Sequence, residues 1–99
     1  MYTTLGTVLA VDDDPGTLDA LDAAIGNLGY EVLRAPDGPS ALELAYRRLP
    51  DLVLLDVKMP GMDGYEVCRR LKEHPSTRLI PIVFLTGFGS RQARLEGLE

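Results

Sequence analysis

The sequence contains little cysteine and no long hydrophobic run, and each absence excludes a class of protein. Cys68 is the only cysteine among the 99 residues, so no disulfide can form within the chain. No apolar stretch is long enough to cross a bilayer. The first residues, MYTTLGT, lack the charged and apolar regions of a secretory signal. We therefore expect a cytoplasmic protein that does not contact a membrane.

Positive charge is also scarce. Ten lysines and arginines stand against fifteen aspartates and glutamates, which gives a formal net charge of -5. A nucleic-acid-binding surface needs a basic patch, so this balance argues against direct nucleic-acid binding. With 45% hydrophobic and 25% charged residues, the composition is typical of one small globular domain whose core has little margin.

Short apolar runs alternate with segments of helical periodicity along the whole chain. The order predicts β-α-β-α-β-α-β-α, and alternation at this spacing is typical of a parallel sheet with helices on both faces. The predicted strands are Val8–Val11, a weaker strand within YEVLRA suited to a sheet edge, the LVLLDV run, and Ile80–Thr86. The predicted helical faces are Leu18, Leu21, Ile25 and Leu28, then Ala41, Leu42, Ala45 and Leu49, then Val67, Cys68 and Leu71, and a last helix begins near SRQARLEGLE.

Acidic side chains stand where the predicted strands end. Asp12 and Asp13 follow the first strand, Asp56 ends the third, and Thr86 ends the fourth. If the first and third strands are neighbours, their carboxylates meet at one edge of the sheet, where α/β proteins bind ligands. Clustered carboxylates repel one another unless a cation lies among them, and oxygen ligands suit Mg²⁺. A carboxylate in such a site can act as a nucleophile and hold a phosphoryl group, with the Thr86 hydroxyl placed to donate to a phosphoryl oxygen.

Three motifs carry a family resemblance. VLAVDDDP, LVLLDVKMPGMDG and IVFLTG, in this order and spacing, resemble the receiver domain of two-component response regulators over nearly the whole chain. The resemblance implies a flavodoxin-like, doubly wound parallel sheet of strand order 2-1-3-4-5. It also implies that Asp56 accepts a phosphoryl group from a sensor histidine kinase, with Mg²⁺ as cofactor. Asp12 and Asp13 match the acidic pair that holds the metal, Asp13 more directly. Lys58 would offer its backbone carbonyl, and Thr86 matches the switch hydroxyl.

The implied function is a phosphorylation-dependent signalling switch that regulates an output domain or a partner protein. Such a phosphoacceptor is not an enzyme beyond weak self-phosphorylation and self-dephosphorylation. A degenerate receiver that acts only as an interaction or dimerisation module is the alternative. A phosphatase with an aspartyl nucleophile is disfavoured, because Lys58 stands where such enzymes place a second aspartate. A dinucleotide-binding module is weaker still, since no glycine-rich fingerprint opens the first helix.

The end of the sequence departs from the family pattern. We interpret residues 1–99 as one receiver domain that is incomplete at its C-terminus, because the lysine-bearing fifth strand and the fifth helix are absent. The two lysines present, Lys58 and Lys72, stand in other positions and cannot replace the missing one. A sheet face and an edge would then be bare, which predicts a homo-oligomer, formed for example by exchange of elements.

Several chemically capable residues have simpler structural interpretations. Asp14 and Asp63 are expected to cap helices, and Cys68 is expected in the core. His74 is expected to be a solvated residue near a helix C-terminus rather than a phosphoryl donor. Pro81 is expected early in the fourth strand, a position that tolerates proline.

Overall fold

The computed structural model describes residues 4–85, and the elements below lie in that range. Seven elements alternate between strand and helix, as the periodicity predicts. They are β1 (Thr7–Val11), α1 (Pro15–Gly26), β2 (Glu31–Ala35), α2 (Gly38–Arg48), β3 (Leu52–Asp56), α3 (Gly64–Glu73) and β4 (Ile82–Leu85). The predicted helix near SRQARLEGLE lies outside the described residues. None of the described helices is long and apolar enough to cross a membrane.

The strands form one parallel sheet in the order β2-β1-β3-β4. This confirms the predicted doubly wound arrangement for the first four strands, with the weaker strand β2 at an edge. The central strands β1 and β3 are the most buried, because each has a neighbouring strand on both sides and helices pack on both faces of the sheet. Leu9 and Val53 are opposite each other in the register and fully buried.

The helices divide into two layers. The packing of α2 and α3 on one face forms the larger core cluster, which includes Leu9, Leu33, Leu42, Leu55, Val67 and Leu71. On the other face α1 supplies Leu18 and Leu21, which pack on Ala10 in a smaller cluster. Cys68 is partly buried against the larger cluster, as predicted.

The α1 face of the sheet contains an apolar groove. A space of about 400 Å³ is lined by Val8, Ile25, Leu28, Tyr30, Asp51, Leu52 and Leu54. Val83 of β4 is opposite Leu54 in the register, so it faces the same side, and it is 48% exposed. Within residues 4–85, α1 therefore covers only part of this face.

Some boundaries differ from the prediction. Leu28 was placed on the apolar face of the first helix, but α1 ends at Gly26 and Leu28 is 67% exposed, because the chain has already begun the turn that Gly29 completes at φ 103°. Leu49 is likewise 51% exposed, since it ends α2 in a left-handed conformation. The fourth strand begins at Ile82, two residues later than predicted. The Ile80 N–H is instead used in a turn, where it donates to the Thr77 carbonyl.

Candidate functional site

Three aspartates meet at the C-terminal edge of the two central strands. Asp56 is the last residue of β3, and Asp12 and Asp13 directly follow β1. Because β1 and β3 are adjacent and parallel, with Val11 opposite Leu55, the residues that follow them lie side by side. One carboxylate oxygen from each of Asp12, Asp13 and Asp56 lies within 4.8 Å of the others. The convergence expected from the sequence is thus present, and we call these three residues the acidic cluster.

Burial and mutual repulsion shape the electrostatics of the acidic cluster. Asp12 and Asp56 are 4% and 9% exposed, whereas Asp13 is exposed. Desolvation raises the pKa of Asp56 to about 6, the charges of Asp12 and Asp13 add to the rise, and the Lys58 N–H opposes it. The pKa of Asp12 is also raised, chiefly by burial, against a hydrogen bond from the Asp14 N–H. Burial therefore makes the ionised forms of Asp12 and Asp56 unfavourable. A cation bound between the two carboxylates would stabilise those ionised forms.

The β1 end of the site is fixed by hydrogen bonds within the turn before α1. The Asp14 N–H donates to Asp12 Oδ1 at 2.9 Å, and the Asp12 N–H donates to the Ala35 carbonyl at the end of β2. Asp14 Oδ2 in turn accepts from the Thr17 N–H and hydroxyl, at 3.1 and 2.7 Å. Asp14 therefore caps α1, as predicted, and the same turn orients the carboxylate of Asp12.

The β3 end is held by the segment that connects it to α3. The Lys58 N–H lies 3.4 Å from Asp56 Oδ1, which is a long hydrogen bond. Met59 is 7% exposed and belongs to the larger core cluster, so it anchors this segment in the interior. Asp63 Oδ1 accepts from the Glu66 N–H at 2.9 Å and caps α3, as predicted.

The donors of the acidic cluster fit a small, hard cation. Carboxylate oxygens at this spacing are ligands that Mg²⁺ accepts while it keeps several waters. The contact that the structure gives for Lys58 is its N–H to Asp56, so the predicted metal role of its carbonyl stays a prediction. Thr86 lies outside the described residues, and its predicted hydroxyl role is likewise untested.

The other chemically capable residues lie away from the acidic cluster. Lys72, near the C-terminal end of α3, donates from Nζ to the Arg78 and Ile80 carbonyls, at 3.2 and 2.7 Å. His74 ends α3 as predicted, with Nδ1 2.8 Å from Ser76 Oγ. Both residues thus hold the chain between α3 and β4.

Two structural features, a helix cap and a loop contact, were not predicted from the sequence. Asp37 caps α2 by accepting from the Ser40 N–H at 2.8 Å. An aspartate before Gly38 and Pro39 is a helix-start signal, so this cap is predictable from the sequence. The packing of Met62 against Gly38 has no such signal, because it joins a loop to a helix that is distant in sequence.

Comparison with known proteins gives a consistent picture. A family model described as "Response regulator receiver domain" matches residues 8–99. The response regulator PleD of Caulobacter vibrioides is 51% identical over 92 residues, which are 93% of this chain and 20% of PleD. The N-terminal domain of a response regulator receiver protein from Methanoculleus marisnigri JR1 has a TM-score of 0.81 and 36% identity, over 94% of this chain and 76% of that one. The chemotaxis response regulator CheY4 of Vibrio cholerae has a TM-score of 0.81 and 34% identity, over 96% and 79%.

The extent of these matches differs between the two kinds of relative. The chain spans about a fifth of PleD, and it spans about three quarters of the two solved receiver structures. The similarity therefore concerns one domain of the longer protein, and it includes the segments that build the acidic cluster.

Proposed function

This chain belongs to the response regulator receiver domain family, and on that basis we propose that it is a signalling switch in which Asp56 accepts a phosphoryl group from a sensor histidine kinase. The observation that supports this most is the convergence of Asp12, Asp13 and Asp56 at the edge of the sheet. Phosphoryl transfer asks the protein mainly to position groups and to neutralise charge, and a rigid sheet edge does the first.

Asp56 has the properties of an oxygen nucleophile. Its pKa of about 6 leaves most of the carboxylate ionised near neutral pH, and its contact with the Lys58 N–H is long. In the proposed step an Asp56 carboxylate oxygen forms a bond to phosphorus. The bond between phosphorus and the imidazole nitrogen of a phosphohistidine breaks, and the bonding electrons leave with the imidazole.

Asp12 and Asp13 are proposed to hold Mg²⁺ together with Asp56 and the Lys58 carbonyl. When bound, the ion supplies positive charge that lets an anionic phosphoryl group enter an acidic site. Asp12 is fixed by the turn before α1, whereas Asp13 is exposed and can adjust to its ligand. The Thr86 hydroxyl is proposed to donate to a phosphoryl oxygen and to carry the change toward an output domain or effector protein.

Phosphorylation of the isolated chain tests the proposal. The chain is incubated with acetyl phosphate and Mg²⁺, and its intact mass is measured. One phosphoryl adduct is expected in the wild type and none in Asp56→Asn. Asp63→Asn is the matched control, because Asp63 lies in the same connecting segment but caps α3, and asparagine caps helices equally well. It is expected to retain the adduct.

Two results would count against the proposal. An adduct that persists in Asp56→Asn would place the acceptor elsewhere. A folded wild-type chain that neither gains an adduct nor binds Mg²⁺ would exclude the switch and favour the second candidate below.

A second candidate is a receiver that acts by contact alone. The apolar groove on the α1 face, together with the exposed Val83, favours it, because apolar surface of this kind promotes association. The two candidates differ in their response to Mg²⁺. The switch requires binding at the acidic cluster, and the contact module does not.

A further inference from the structure

The first residue of α3 lies directly against the backbone that carries Asp56. A Cβ at Gly64 would overlap the Asp56 carbonyl oxygen, and it would lie 2.9 Å from Val57 Cα and 3.0 Å from the Asp56 carbonyl carbon. These neighbours are backbone atoms of a strand end, so they cannot rotate away as a flexible side chain could. The Gly64 N–H also donates to the Val57 carbonyl at 2.9 Å.

The need for glycine here is a need for space. Gly29 and Gly61 have positive φ angles, at 103° and 78°, whereas Gly64 is not in that region. Alanine could therefore adopt the backbone conformation of Gly64. Its Cβ, however, would not fit in the space beside the Asp56 backbone. Gly38 differs too, because its crowded neighbour is the side chain of Met62.

We propose that Gly64 is a positioning residue for the acidic cluster, which sets the place of Asp56 and Lys58 through direct contact of α3 with the end of β3. The inference rests on the proposed function, since it concerns the site at which Asp56 would be phosphorylated. The contact involves the backbone of both Asp56 and Val57. Because Gly64 has no Cβ, α3 can approach the backbone of Asp56. The hydrogen bond from the Gly64 N–H holds Val57, the residue between Asp56 and Lys58.

A methyl group at Gly64 must push α3 and the end of β3 apart. The Asp56 carboxylate then moves relative to Asp12, which is fixed separately by the turn before α1, and the spacing of the three carboxylates changes. A cation site loses affinity when one ligand is displaced from the others, and changes in the groups that orient ligands typically weaken metal binding by about 10- to 100-fold.

The test measures Mg²⁺ binding and stability in the same variants. Mg²⁺ is titrated into ¹⁵N-labelled wild type, Gly64→Ala and Val67→Ala, and the amide shifts of Asp13 and Lys58 give the dissociation constant. Val67 is fully buried in the same helix, so Val67→Ala destabilises α3 packing without touching the Asp56 backbone. Urea unfolding identifies conditions in which every variant is folded.

Gly64→Ala is expected to weaken Mg²⁺ binding by about tenfold or more, and Val67→Ala to leave it within about twofold of the wild type. A purely structural role for Gly64 would give equal dissociation constants in the two folded variants, and that result would overturn the inference while leaving Asp56 as acceptor. A wild type that binds no Mg²⁺ would overturn both the inference and the proposed function.

If Gly64→Ala does not fold, the wild type still decides the question. During the Mg²⁺ titration the Gly64 amide is expected to shift with the same dissociation constant as the Lys58 amide, while the Val67 amide stays in place. A Gly64 amide that does not respond would show that the contact does not couple α3 to the acidic cluster.

Discussion

Replacement of Asp56 by asparagine is expected to stabilise the folded chain when Mg²⁺ is absent. The pKa of Asp56 rises from its ordinary 3.8 to about 6 on folding, because burial and the charge of Asp12 disfavour the ionised form. A rise of about two pKa units corresponds to roughly 3 kcal/mol of folding free energy lost near neutral pH. Asparagine is neutral and nearly isosteric, so Asp56→Asn should recover up to about that amount.

The pH dependence follows from the direction of this shift. Between about pH 4 and pH 6 the folded state binds the Asp56 proton and the unfolded state releases it, so rising pH destabilises the wild type through this group. The stability difference between Asp56→Asn and wild type should therefore be fully developed above about pH 7. It should narrow by roughly 1.5 kcal/mol on going from about pH 8 to about pH 5.

Urea unfolding followed by circular dichroism, with a chelator present, measures both quantities. Glu43→Gln serves as the control, because Glu43 is an exposed carboxylate on α2, and its replacement should change stability little. Saturating Mg²⁺ should reduce the advantage of Asp56→Asn, since a ligand that binds only the folded wild type stabilises it. Equal stability of Asp56→Asn and wild type at about pH 8, or a difference that is the same at both pH values, would refute this account of the acidic cluster.

Two further predictions concern other parts of the fold. Asp37→Ala removes the cap of α2 and should lower the unfolding free energy, measured by urea titration, by about 1 kcal/mol. Asp37→Ser keeps a capping side chain and should retain most of the wild-type stability. An equal loss of stability in the two variants would contradict the capping role. The wild type should self-associate through the α1 face, so its sedimentation coefficient should rise with concentration. Val83→Lys should suppress this rise, and Glu43→Lys should not. A wild-type sedimentation coefficient that does not change with concentration would contradict the prediction.

The central strands were predictable because the cause of their pattern is local, whereas the strand order was implied by the family resemblance. A strand buried on both faces becomes a continuous apolar run, so Val8–Val11 and the LVLLDV run stood out. A carboxylate that ends such a run can only lie at the C-terminal edge of a parallel sheet. Asp12 and Asp56 could therefore be placed at that edge, and the strand order implied by the family resemblance placed them side by side.

The errors and omissions have a different origin. Hydrophobic periodicity shows which face of a helix is buried but gives little information about where the helix stops, so Leu28 and Leu49 were assigned to helices that end before them, and both are exposed. The contact of Gly64 with Asp56 was not readable either. The sequence shows a glycine that suits tight backbone, but the atoms beside it are fixed only once α3 packs on the sheet.

The position of β1 between β2 and β3 links the site to the completion of folding. Thr7 at the start of β1 donates to Asp51 just before β3, a bond between residues 44 positions apart, and β1 also pairs with β2 on its other side. Pairings of such long sequence separation are the slow ones to form. Before β3 joins β1, Asp12 and Asp56 are separate aspartates on a flexible chain. A newly made or partly unfolded copy thus has no assembled acidic cluster, and under the proposed function only chains that have completed their central sheet can be phosphorylated.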